Sequence, residues 1–177
     1  MAYLYGVRDA KIALWLADGS YGTLYDLPAV NTVEFNPALT SAQLEGDDSE
    51  VESTSKMVAV EGRVVFGDNT TVRPEIMTIL LGASNTSSGG KERMKIGASN
   101  PNYYGLAFKV VHSDNSGETH FHVYKCRISN FQYRASYNGY VVPEISYRGV
   151  TQASDGHAME IVQDQALNTA LAMPLTF

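Results

Sequence analysis

Apolar positions in this chain recur mostly at every second residue, or in short runs of β-branched and aromatic residues, between clusters of Gly, Asn, Asp and Ser. A period of two is that of a strand, whose successive side chains fall on opposite faces of a sheet. The clearest pair is Tyr103–Val111 and Thr119–Tyr124. The turn residues His112 to Glu118 separate them, so a β-hairpin is expected. Further strands are expected at 10–16, 29–36, 51–66, 140–150 and 156–163, with Asn138-Gly139 and Ser154-Asp155-Gly156 turning the chain before the last two. One segment changes period. Pro74 suits a first helical turn, Ile76, Met77, Ile79 and Leu80 form one apolar face, and Gly82 can end the helix, so 74–81 reads as a single short α-helix. Small polar residues from Ala83 to Gly90 lead into Lys91-Glu92-Arg93-Met94-Lys95, and 83–100 reads as a polar surface loop. The sum is a mainly β chain, a β-sandwich or barrel with one short packed α-helix, forming a single domain over 1–177.

Composition narrows the classes. Hydrophobic residues make up 44% and charged residues 18%, which supports a packed core rather than disorder. No apolar run reaches the roughly 18 residues a membrane-spanning helix needs. The opening Met1 to Asp9 has neither the basic region nor the apolar stretch of a signal peptide. Cys126 is the single cysteine, so no internal disulfide or Cys-based zinc cluster is expected, and a reducing cytosol is the expected setting. Net charge is −6, from 19 acidic and 13 basic residues. Gripping nucleic acid requires clustered cations against phosphate. The acidic balance instead suits a protein that sits near DNA without holding it.

Three sets of residues are candidates for chemistry. His120 and His122 flank Phe121, so on a strand they share a face, and His112 across the hairpin is placed to approach them. Three imidazoles are a zinc-type donor set, but no Asp, Glu or Cys stands at an obvious completing position, and partly exposed strand histidines are the simpler reading. The segment 44–55 carries Glu45, Asp47, Asp48, Glu50 and Glu52, five carboxylates within eight residues and no cation among them. Their spacing and the early Gly46 do not match a calcium loop. A solvated loop and a projecting loop that meets a neighbouring subunit both remain open, the latter with Lys91, Arg93 and Lys95 as basic partners. Cys126 lies between Lys125 and Arg127, which on a strand point to the opposite face, so a half-buried structural thiol is expected. Neither a Gly-x-Ser-x-Gly elbow nor a phosphate-binding Gly loop occurs. No enzyme activity and no cofactor are expected.

In order along the chain, Tyr5-Gly6-Val7-Arg8-Asp9-Ala10-Lys11-Ile12-Ala13, Gly19-Ser20-Tyr21-Gly22-Thr23, Leu27-Pro28-Ala29-Val30 and Val33-Glu34-Phe35-Asn36-Pro37 resemble the major tail proteins, or tail tube proteins, of long non-contractile-tailed bacteriophages. The segments Leu44 to Glu50, Val58 to Phe66 and Pro74 to Gly82 are similar to that family's long loop, following strand and short helix. The resemblance implies a β-sandwich protomer forming hexameric rings stacked into a tube, with DNA passing through a negative lumen without specific binding. It implies a virion protein assembled in the host cytoplasm. Its partners would be further copies of itself and the tape measure, distal tail and terminator proteins, with no membrane. Leu44, Glu45, Asp47, Asp48, Glu50 and Glu52 would then lie at subunit contacts, with Lys91, Arg93 and Lys95 as a second contact set. Residues 83–100 are longer than that family's corresponding stretch, and no immunoglobulin-like decoration domain is apparent. Tubes of contractile tails and of type VI secretion share the implied fold. A carbohydrate-binding module using the aromatics of 131–147 is the alternative from another class.

Overall fold

The structure is a computed structural model that describes residues 4–46, 49–67, 73–97, 100–134, 142–151, 156–167 and 169–173. The described residues are mainly β, with a single short helix. In chain order the elements are β1 (Leu4–Trp15), β2 (Tyr21–Asp26), β3 (Val30–Gly46), β4 (Ser49–Phe66), α1 (Pro74–Leu81), β5 (Ser84–Ser88), β6 (Lys91–Lys95), β7 (Tyr104–His112), β8 (Glu118–Arg134), β9 (Val142–Val150) and β10 (Met159–Asp164). Eight strands form one antiparallel sheet in the order β2-β1-β7-β8-β9-β4-β3, with β10 pairing the first half of β8. The first part of β8 thus lies between β7 and β10, and its later part pairs β9.

This sheet curls over itself into a sandwich-like barrel. Phe35 of the edge strand β3 lies 5.1 Å from Phe121 and 6.1 Å from Phe108, on strands at the middle of the sheet. Phe108 and Phe121 are themselves stacked at 4.9 Å. Around them close Ile12, Leu106, Val123, Val64, Phe66, Ile145 and Tyr147. α1 adds Ile76, Met77, Ile79 and Leu80 to the same core. Its start and stop are local: Pro74 stands in the first turn, and Gly82 at φ 61° adopts the left-handed conformation while its N–H bonds the Thr78 carbonyl at 3.0 Å. Burial of an apolar side chain contributes about 1.5–3 kcal/mol, so this four-residue face, rather than intrinsic propensity, holds so short a helix.

Two tyrosines brace the sheet by lying across glycines. Tyr147 passes over Gly62 and donates its hydroxyl to the Glu34 carbonyl at 3.0 Å; a Cβ on Gly62 would stand 2.1 Å from that oxygen. Tyr21 lies over Gly105 in the same way and donates to the Tyr124 carbonyl at 2.8 Å. A side chain at either glycine would displace the ring and break the cross-strand bond.

Several expectations are corrected by these elements. β1 begins at Leu4 rather than residue 10, and β2 was not anticipated. The strands expected at 29–36 and 51–66 run on toward each other, so most of 44–55 is the end of a long hairpin rather than an irregular loop. The loop expected over 83–100 contains the β5–β6 hairpin. Its two linking residues, Gly89 and Gly90, have φ of 61° and 70°, the conformation a tight two-residue turn demands. Asn138-Gly139 and Ser154-Asp155 lie outside the described residues.

Candidate functional site

The β3–β4 hairpin is the feature that the rest of the fold explains least. β4 has a second neighbour, β9, only from Ala59 to Val65. Beyond that, Leu39 to Gly46 and Ser49 to Met57 pair only with each other among the described residues, from Leu39↔Met57 to Gly46↔Ser49. The result is a two-stranded arm, about 27 Å long for eight residues at the usual rise. Its sequence is largely small and polar, with Thr40, Ser41, Ala42 and Gln43 opposite Lys56, Ser55, Thr54 and Ser53. An isolated two-stranded hairpin is marginal in water, and one with so little apolar surface more so. Leu44, Glu45, Glu50 and Glu52 all fall on this arm, with Leu44 the register partner of Glu52 and Glu45 that of Glu50. Asp47 and Asp48 lie outside the described residues.

Lys91, Arg93 and Lys95 occupy alternate positions of β6, on one side of the β5–β6 hairpin, and all three are exposed. Opposite them stand Ser88, Thr86 and Ser84. The structure thus places the two expected contact sets on two separate hairpins, which do not pair with one another.

The histidines resolve differently from expectation. His120 and His122 do share a face, but they are buried, at 6% and 7% exposure, rather than partly exposed. His112 is on the other face: its Nε2 lies 3.0 Å from the Thr119 hydroxyl, on the Phe121 side of the strand. Around the pair is an ionic network that sequence reading missed. Glu118, 1% exposed, lies 3.4 Å from the Lys109 ammonium and 3.3 Å from His120 Nε2. His122 Nδ1 and the Tyr124 hydroxyl both reach Glu160, at 3.4 and 3.1 Å. Lys109 also donates to the Thr169 carbonyl at 2.9 Å, and Leu171 is buried, so a C-terminal segment lies over this face. Burial pushes the His122 pKa down despite Glu160 beside it, which leaves a neutral ring whose Nε2 has no partner among the described residues. Among the described residues no group of three or more His, Cys, Asp or Glu is arranged to hold a metal ion.

A register shift between Tyr104 and Leu106 also divides β8. It turns Cys126 into the core, fully rather than half buried, while Lys125 and Arg127 face out over Tyr103 at 4.6 and 5.2 Å. The thiol donates to the Tyr104 carbonyl, and burial raises its pKa, so it is inert as a nucleophile. The aromatics expected as a sugar platform do not form an exposed one among the described residues. Tyr147 is 1% exposed, and residues 135–141 lie outside the described set. A shallow groove of about 460 Å3 on the outer face of β3, β4 and β9 holds charges that satisfy one another, Arg63 with Glu34 and Glu144, and Arg148 with Glu61. No helix among the described residues is long and apolar enough to cross a membrane. No protein-family model matches the chain, and no curated protein matches it.

Proposed function

We propose that this chain is a structural subunit that assembles with copies of itself into rings stacked as a hollow tube, the tail tube of a long non-contractile-tailed bacteriophage, through which DNA leaves the virion. The observation that carries this reading is the β3–β4 arm, a hairpin extended beyond its own sheet, whose strands pair only with each other among the described residues. Such an element is completed by a neighbour, as when one chain's strands or hairpins add to another's sheet. The tube as the form of the assembly, and six as its number, come from the ordered motifs between Tyr5 and Gly82. The net charge of −6 suits a conduit that phosphates must not stick to. On this reading the tape measure, distal tail and terminator proteins are further partners, the location is the virion, and no catalysis or cofactor is involved.

The reading is tested by light scattering on the purified chain over a range of concentrations, beside a variant in which residues 42–54 are replaced by an Asn-Gly turn. The wild type forms large assemblies as concentration rises. The shortened variant stays monomeric while melting within a few degrees of wild type, because the strands removed pair only with each other among the described residues. A shortened variant that assembles like wild type removes the arm from the account.

A further inference from the structure

We propose that the basic side of the β5–β6 hairpin is the receptor for the acidic end of the β3–β4 arm of a second copy, a contact that rests on the self-assembly reading above and specifies its two faces. Lys91, Arg93 and Lys95 are exposed, stand at alternate positions of β6, and have no carboxylate partner among the described residues. Four other cations are ion-paired, Lys11 with Asp9 and Asp26, Arg63 with Glu34 and Glu144, Lys109 with Glu118, and Arg148 with Glu61, while Lys125 and Arg127 lie over Tyr103. In a protein of net charge −6, three unpaired cations on one hairpin side form a docking surface for an anion-rich partner.

The arm end supplies the complementary charge. Glu45 is the register partner of Glu50, and Glu52 follows two residues on, so like charges oppose one another across the arm. Cations from outside relieve that repulsion. The basic row steps by two residues along β6, about 6.8 Å, whereas the register shift between Leu44 and Glu45 interrupts the acidic one, so the match is one of charge rather than of spacing.

The chain's own topology argues against pairing within one molecule. β5 follows α1 directly, and α1 packs in the same core as Phe66, at the far end of β4 from the arm end. The 18 residues of β4 amount to roughly 60 Å of strand, against about 17 Å for the five-residue β6. Where the second copy does not return the same contact, the interface is heterologous and propagates into a ring or a stack; where it does, it closes as a dimer.

Charge exchange tests this directly. One variant carries Lys91→Glu, Arg93→Glu and Lys95→Glu; a second carries Glu45→Lys, Glu50→Lys and Glu52→Lys. Each alone should need at least about tenfold more protein than wild type to assemble, and an equimolar mixture should return to within about threefold of wild type. Melting curves check that both fold. If one does not, neutral Gln replacements at the same positions serve, with the same loss expected alone. Raising salt from about 50 to about 500 mM should weaken wild-type assembly in the same direction. Wild type that assembles while both variants assemble equally well overturns this contact and leaves self-assembly standing. Wild type that stays monomeric throughout overturns both.

Discussion

Tyr104 shows how closely single side chains are constrained in this core. It is fully buried, its carbonyl accepts from Cys126, and its own hydroxyl has only the weakly bonding Cys126 thiol beside it. A buried hydroxyl left unpaired costs about 1–3 kcal/mol. Tyr104→Phe should therefore raise unfolding stability by roughly 1 kcal/mol in urea titration, and a clear loss of stability would show that the hydroxyl is bonded after all. His122 makes an opposite prediction through pH. Its folded-state pKa lies below the unfolded value of about 6.5, so below that pH the unfolded chain takes up a proton that the folded chain refuses. The stability is fully present above about 6.5 and is lost as pH falls toward the lower folded value. The groups facing it are Glu160 on β10, Tyr124 and His120 on β8, and Ala107 as its β7 partner. Between pH 7 and 5 the urea midpoint of wild type should fall more steeply than that of His122→Gln; equal slopes would remove His122 as the cause.

At the scale of elements, legibility followed the strength of local signals. α1 was readable to the residue, because Pro74, the apolar face and Gly82 all act within the segment. The β7–β8 hairpin turn was readable for the same reason, whereas β8 runs on to Arg134, ten residues past the expected strand. β2 was not, since Tyr21–Asp26 holds Gly22 and follows the turn Asp18-Gly19-Ser20, and only pairing with β1 makes it a strand. β5 and β6 were missed because Ser84–Ser88 has no apolar alternation; Gly89-Gly90 was the available signal. Replacing both glycines by Ala should cost about 1–2 kcal/mol per residue in the left-handed region. That cost should appear as faster amide exchange in β5 and β6 with the core unchanged. Unchanged exchange in that hairpin would show that its turn is not what holds it. The candidate contacts were only partly visible. The alternation of Lys91, Arg93 and Lys95 and the run of carboxylates could be read directly, whereas their placement on two hairpins could not. The network of Lys109, Glu118, His120 and Thr169 was beyond reach, because it depends on the register of β7 against β8 and on a segment distant in sequence that brings the Thr169 carbonyl to Lys109.

At the scale of the whole molecule, the fold divides into a self-sufficient part and a dependent one. The curled sheet and α1 bury a continuous core around Phe35, Phe108 and Phe121. The β3–β4 arm and the β5–β6 hairpin add two-stranded backbone pairing, and their sequences carry opposite charge. On the proposed reading, the core folds alone and the two hairpins are completed by neighbouring copies in a tube. Negative-stain electron microscopy of the purified full chain over rising concentration tests this most directly. The account predicts hollow rings or tubes of uniform diameter. Single compact particles at every concentration and salt would contradict it.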